Sequence, residues 1–140
     1  MVKEETIWVT KTDLERLGNL IELVRNDGER QLYQYIKKLE EKLEYAEVAR
    51  SEDIPSSVIT MRTKVRLKDL DTGEETVYSL VFPGEAQFDE GKLSILSPLA
   101  TAILGYRLGD TVEFQAPSRL RRLKVLKILY QPESAGDLNL

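Results

Sequence analysis

Leu14, Leu17, Ile21 and Val24 recur at spacings of three and four, which predicts a helix with one apolar stripe. Thr12 and Glu15 stand at the spacing of a capping box and mark its start. Asn26-Asp27-Gly28 breaks the pattern, since these residue types accept the turn conformations that end helices. A second helix is expected over 29–49, where Leu32, Ile36, Leu39, Leu43 and Ala46 follow the four-three alternation of a coiled-coil seam. Two such helices joined by a tight turn make an antiparallel hairpin. Lys37, Lys38, Glu40, Glu41, Lys42, Glu44 and Glu47 then fall on its outer, solvated face.

Segment 51–57 is polar, contains Pro55 and reads as a linker. Beyond it the period changes to two. Met61, Thr63, Val65 and Leu67 alternate with Arg62, Lys64, Arg66 and Lys68, a half-buried strand with a basic face over 58–68. Asp69-Leu70-Asp71-Thr72-Gly73 supplies turn chemistry, and 74–82 reads as the returning strand. A short strand is expected over 93–96. Ser97 as N-cap and Pro98 at the first helical position then open a short helix that Gly105 stops. After the turn at Leu108-Gly109-Asp110, segments 111–115 and 120–130 look like a closing antiparallel pair, and the polar tail 131–140 is expected to fray. The sum is an α+β plan, a helical hairpin followed by a small antiparallel sheet crossed by one short helix.

Composition narrows the chemistry. Among 140 residues there is no cysteine and no histidine. Disulfides, thiolate metal sites and cysteine nucleophiles are thereby excluded, and the commonest general base and transition-metal ligand is missing. Only carboxylate-driven or Mg²⁺-assisted chemistry passes this filter. The 24 acids against 20 bases leave a formal charge of −4, which speaks against a main partner recognised through its nucleic-acid backbone and suits a protein partner. No apolar run approaches the roughly 18 residues of a membrane span, and the first residues lack the apolar core of a signal peptide. A cytoplasmic protein without membrane contact is the expectation.

The stretch Leu93-Ser94-Ile95-Leu96-Ser97-Pro98-Leu99-Ala100-Thr101-Ala102-Ile103-Leu104-Gly105, followed by Leu108-Gly109-Asp110-Thr111-Val112, resembles the signature of the Gre-factor C-terminal domain. Glu52-Asp53-Ile54-Pro55 leading into Val58-Ile59-Thr60-Met61, and the tail from Tyr130 to Asp137, are similar to the Rnk branch of that superfamily, the regulators of nucleoside diphosphate kinase. The resemblance implies an N-terminal strand and coiled-coil hairpin over 1–50, the linker 51–57 and an FKBP-like C-terminal domain over 58–140. It also implies docking on RNA polymerase near the secondary channel, with no sequence-specific DNA binding and no cofactor. Carried over by position, the docking residues are Leu96, Ser97, Pro98 and Leu99. Gre factors often carry an acid where this chain has Leu96, so a more apolar contact is implied. A helix start alone would equally explain Ser97 and Pro98.

Gre cleavage factors present tip carboxylates, within Gly-Asp-Leu-x-Glu-Asn, that help hold a second Mg²⁺ and a water in the polymerase. The tip here, Asn26, Asp27, Gly28 and Glu29, does not match that motif. Asp27 serves equally as a turn residue, and Glu29 as a favourable charge in a first helical turn. Helices of roughly 20 and 30 Å, at 1.5 Å per residue, predict an arm shorter than a cleavage factor's. A regulator that docks, does not stimulate cleavage and competes with Gre factors is therefore the leading expectation. An active cleavage factor using Asp27 and Glu29 as metal ligands is the alternative. A peptidyl-prolyl isomerase is a third, but the aromatic residues such a pocket needs (Tyr78, Phe82, Phe88, Tyr106, Phe114, Tyr130) are scattered in sequence. The basic face of Arg62, Lys64, Arg66 and Lys68, joined by Arg122 and Lys124, suits nucleic acid or an acidic partner; cross-strand pairing with Glu74 and Glu75 is the plainer account.

Overall fold

Strand β1 (Trp8–Thr10) runs directly into helix α1 (Lys11–Asn26). The cap is Thr10 and not Thr12: Thr10 Oγ1 accepts from the Asp13 backbone N–H at 3.0 Å, satisfying one of the free donors of the first turn. Leu17, Ile21 and Val24 are buried as the periodicity requires, but Asp13, rather than Leu14, is the first buried position of the stripe. The computed structural model describes residues 6–26 and 30–137. Asp27, Gly28 and Glu29 of the expected hairpin tip lie outside the described residues.

Past the tip, a single 3₁₀ turn (Arg30–Leu32) leads into α2 (Tyr33–Glu44). Ile36 and Leu39 are buried at the seam, with Leu32 and Leu43 packed beside them. The helix is shorter than the expected 29–49. Residues Glu47–Ala49 form β2, which pairs in parallel with β1 in the register Trp8↔Glu47, Val9↔Val48 and Thr10↔Ala49. A hydrogen bond from Glu47 N to Ile7 O at 2.9 Å begins this pairing. Long-range backbone partners thus override local helix preference, which is a weak prior.

The second half is a five-stranded sheet of β3 (Lys64–Asp69), β4 (Glu75–Val81), β5 (Lys92–Ser94), β6 (Thr111–Gln115) and β7 (Leu120–Tyr130). Its spatial order is β5-β4-β3-β7-β6, and its pairs are antiparallel except β4–β5, which is parallel. The expected α+β architecture is therefore present, with a mixed sheet. Val65, Leu67, Leu80, Leu93, Val112, Leu123 and Val125 form its buried side. Helix α3 (Pro98–Ile103) and the hairpin cover that side, and one continuous apolar core joins Leu17, Ile21, Ile36 and Leu39 to Met61, Val65, Ile95 and Ile103.

Three local expectations are corrected. The strand expected over 58–68 is regular only from Lys64. Before it, Thr60 and Thr63 close a turn through Thr60 N to Thr63 Oγ1 (2.9 Å), and Arg62 takes a positive φ of 65°. The strand expected over 93–96 ends at Ser94. The tail does not fray through Asp137: Gln131 is buried and its Nε2 donates to Pro55 O (2.9 Å) and Val58 O (2.7 Å). Thr60 Oγ1 donates to Glu133 at 2.6 Å, and the Tyr130 hydroxyl donates to Asp137.

Candidate functional site

The segment between β5 and α3 is held by its own short side chains. Ser94 Oγ accepts from Leu96 N at 3.1 Å, while Ser97 Oγ donates back to Ser94 O at 2.7 Å. Ser97 occupies the N-cap position without a side-chain cap bond, because its hydroxyl is committed to Ser94. Thr101, one turn into the helix, donates Oγ1 to Ile95 O at 2.6 Å and ties the helix to the strand end. Leu96, Ser97 and Leu99 are half-buried and Pro98 is exposed. Leu96 and Pro98 form a hydrogen-bonded rim, while Leu99 packs against the core.

Leu96 and Pro98 line a cleft of about 420 Å³ between the hairpin and the sheet domain. Its far wall is Tyr35, Lys38 and Lys42 of α2 with Tyr45 just past the helix end, and its lining includes Tyr106 and Phe114. Lys42, expected on the solvated face, instead points inward. Its Nζ donates to Thr101 O and Ala102 O, both at 2.7 Å, and sits 4.7 Å from the centre of the Tyr106 ring. Carbonyls near a helix C-terminus and an aromatic face both favour a cation there. Burial acts the other way and pushes the ammonium down to about 7. Sequence reading missed this wall although a signal existed: Tyr35, Lys38, Lys42 and Tyr45 follow a three-four-three spacing, a second stripe beside the Leu seam.

On the other helix, the Asp13 carboxylate accepts the Met61 backbone N–H at 3.0 Å and so anchors α1 to the sheet domain. Burial raises Asp13 to about 6; the Met61 bond opposes the rise and Glu133 adds to it. A second, open groove of about 430 Å³ lies between Leu20 and Leu23 of α1 and Phe82 and Pro83 at the end of β4. Leu23 and Tyr35 each lie about one turn from the hairpin's end, and each lines a groove whose opposite wall belongs to the sheet domain. Leu17, Ile21 and Val24 of α1 and Ile36 and Leu39 of α2 are buried in the core shared with the sheet.

At 1.5 Å per residue, the 16-residue α1 is about 24 Å long and the 12-residue α2 about 18 Å. Of the tip residues, Asn26 is the exposed last residue of α1. Below it, Arg25 pairs with Glu40 across the helices and the Tyr33 hydroxyl donates to Arg25 O at 3.1 Å. Among the described residues no cluster of acids has a metal-binding arrangement. Of the aromatic residues considered for an isomerase pocket, Tyr106 and Phe114 share the cleft, while Tyr78, Phe82, Phe88 and Tyr130 do not line it. No helix among the described residues is long and apolar enough to cross a membrane.

Comparison with known proteins agrees with this geometry. Residues 54–130 match the family model "Transcription elongation factor, GreA/GreB, C-term". The chain is 33% identical over 133 residues to the regulator of nucleoside diphosphate kinase of Escherichia coli K12, covering 94% of this chain and 95% of that protein. It is 38% identical over 95 residues to transcription elongation factor GreA of Syntrophotalea carbinolica, covering 68% of this chain and 60% of GreA. Among solved structures, a GreA/GreB transcription elongation factor of Nitrosomonas europaea superposes with a TM-score of 0.73 at 31% identity, covering 91% of this chain and all of that one. With its strand, Ser-Pro helix start and Gly-Asp turn inside the matched region, and its likeness to a regulator along nearly its full length, the chain belongs to the GreA/GreB transcription elongation factor family.

Proposed function

We propose that the protein is a non-enzymatic transcription regulator that docks on RNA polymerase near the secondary channel through Leu96, Ser97, Pro98 and Leu99, and competes there with Gre cleavage factors. One observation carries the reading. The hairpin is short and shares its core with the sheet: Val24 and Ile36, near its described end, belong to the same buried cluster as Val65 and Leu80. Cleavage chemistry requires carboxylates delivered to a metal at hydrogen-bond-scale distances. An arm of about 18 to 24 Å that shares its apolar core with its own sheet occupies an entrance without reaching its far end. The rim suits docking because its backbone is fixed in advance, which lowers the ordering cost of binding. Full-length likeness to a protein named as a regulator supports the same reading.

The test is a pull-down of RNA polymerase with the full chain, repeated with excess GreA. Retention that GreA displaces is expected; no retention, or retention indifferent to GreA, overturns the proposal. Stalled elongation complexes separate the alternative. RNA shortening that depends on the chain and disappears with Asp27→Ala would make it a cleavage factor.

A further inference from the structure

The solvent side of the sheet carries a charge arrangement that folding alone does not explain. Lys64, Arg66 and Lys68 alternate outward along β3, against the inward Val65 and Leu67. In the β3–β7 register Arg66 stands opposite Lys127 and Lys68 opposite Lys124, while Arg122 extends the row along β7. Directly opposed like charges destabilise a sheet. Glu75, opposite Lys68, and Glu113, opposite Arg122, are the acids that the register sets against this face. Arg66 reaches Glu75 at 3.8 Å and Arg122 reaches Asp71 at 2.8 Å. Lys64, Lys68, Lys124 and Lys127 have no acid at salt-bridge distance among the described residues. Arg62, which the sequence pattern groups with them, is not part of the face. It lies over the Phe82 ring and binds Glu85 with two nitrogens at 2.8 and 3.2 Å. Pairing with Glu74 and Glu75 therefore does not account for the basic strand.

A chain with a net charge of −4 that gathers unpaired lysines into two adjacent rows is built to meet a polyanion on one side. We propose that this face binds the phosphate backbone of duplex DNA without reading its bases. Successive outward residues on β3 are about 7 Å apart, close to the interval between neighbouring phosphates along one strand of a duplex. The face lacks what other partners need. Protein interfaces centre on aromatic and apolar anchors and are depleted in lysine; here Val77 and Tyr130 are half-buried, and the exposed Leu120 and Leu129 stand apart at opposite ends of β7. Single-strand binders add exposed aromatic platforms for stacked bases, and among the described residues this face has none. What is left is charge in rows, which suits a stiff, regularly charged ligand held through counterion release. The surface stands apart from the rim at Leu96 and goes beyond the polymerase reading.

The experiment titrates the full chain, without polymerase, into a labelled mixed-sequence DNA duplex and follows anisotropy between about 50 and 200 mM salt. Saturable binding is expected, with log K falling against log salt at a slope of about −3 to −4, the value for four neutralised phosphates. AT-rich and GC-rich duplexes are expected to bind alike. Replacing Lys64, Lys68, Lys124 and Lys127 together by Ser is expected to weaken binding at least tenfold and to flatten the slope. Lys124→Glu and Lys127→Glu guard against a folding artefact. Each turns a like-charge pair into an opposite pair, so melting temperature should hold or rise while DNA binding falls. No binding at the lowest salt, unchanged binding by these variants, or tighter binding of a single-stranded RNA of equal length overturns the proposal. Because polymerase is absent, its outcome is independent of the docking test.

Discussion

Asp13 and Lys42 each hydrogen-bond from the hairpin to the backbone of the second half, and both are displaced in ionisation by burial. Asp13→Ala leaves the Met61 N–H buried without its acceptor and is expected to cost about 1–3 kcal/mol in urea unfolding. Asp13→Asn keeps a side-chain oxygen for that bond and should cost much less. The pH profile separates bond from charge. Asp13 holds its proton more tightly when folded, up to about 6, so its contribution favours the folded state at low pH and is lost as pH rises from about 4 through 6. Asp13→Asn should remove that slope. Lys42 behaves in the opposite sense. Its folded value falls to about 7, so between 7 and the unfolded value the unfolded chain binds more protons and stability rises with pH. Lys42→Met is expected to flatten the profile of urea midpoints between pH 7 and 10.

At the scale of elements, the decisive join is the parallel pair β1–β2, which ends α2 early and closes the base of the hairpin. It packs on Gly105, whose φ of 87° and tight surroundings leave no room for a side chain. A Cβ there would stand 3.0 Å from both Ile7 Cβ and Trp8 O. Gly105→Ala is expected to lower stability by about 1–3 kcal/mol, read from the thermal transition, through backbone strain and that overlap. The apolar stripe of α1, the seam of α2, the Ser-Pro start of α3 and the turn at Gly109 were all legible in the sequence, because each is written in residues a few positions apart. The end of α2 was not. Residues 45–49 include good helix formers, and what removes them from the helix is a backbone partner at Ile7, roughly forty residues away in the chain. The ordered tail escaped notice for the same reason, since the acceptors for Gln131 are Pro55 O and Val58 O.

For the whole molecule, a hydrogen-bonded rim at one end of a cleft and a short hairpin along its side define the proposed docking body. Leu96→Ala removes the half-buried apolar side chain at the rim, and should weaken polymerase retention about tenfold, the scale of a single hot-spot residue. Asp27→Ala should leave retention unchanged. Period and spacing were enough to specify a helical hairpin followed by a sheet with one short helix, and the order Ser97-Pro98 was enough to mark where that helix starts. Those features depend on local sterics and on which residues prefer water, both carried by neighbouring positions. The turning inward of Lys42, the burial of Asp13, the gathering of Tyr35, Tyr45, Tyr106 and Phe114 around one cleft, and the opposition of Arg66 to Lys127 were decided only in three dimensions. Each depends on strand register or on how two elements pack, and such contacts join residues that no local pattern relates.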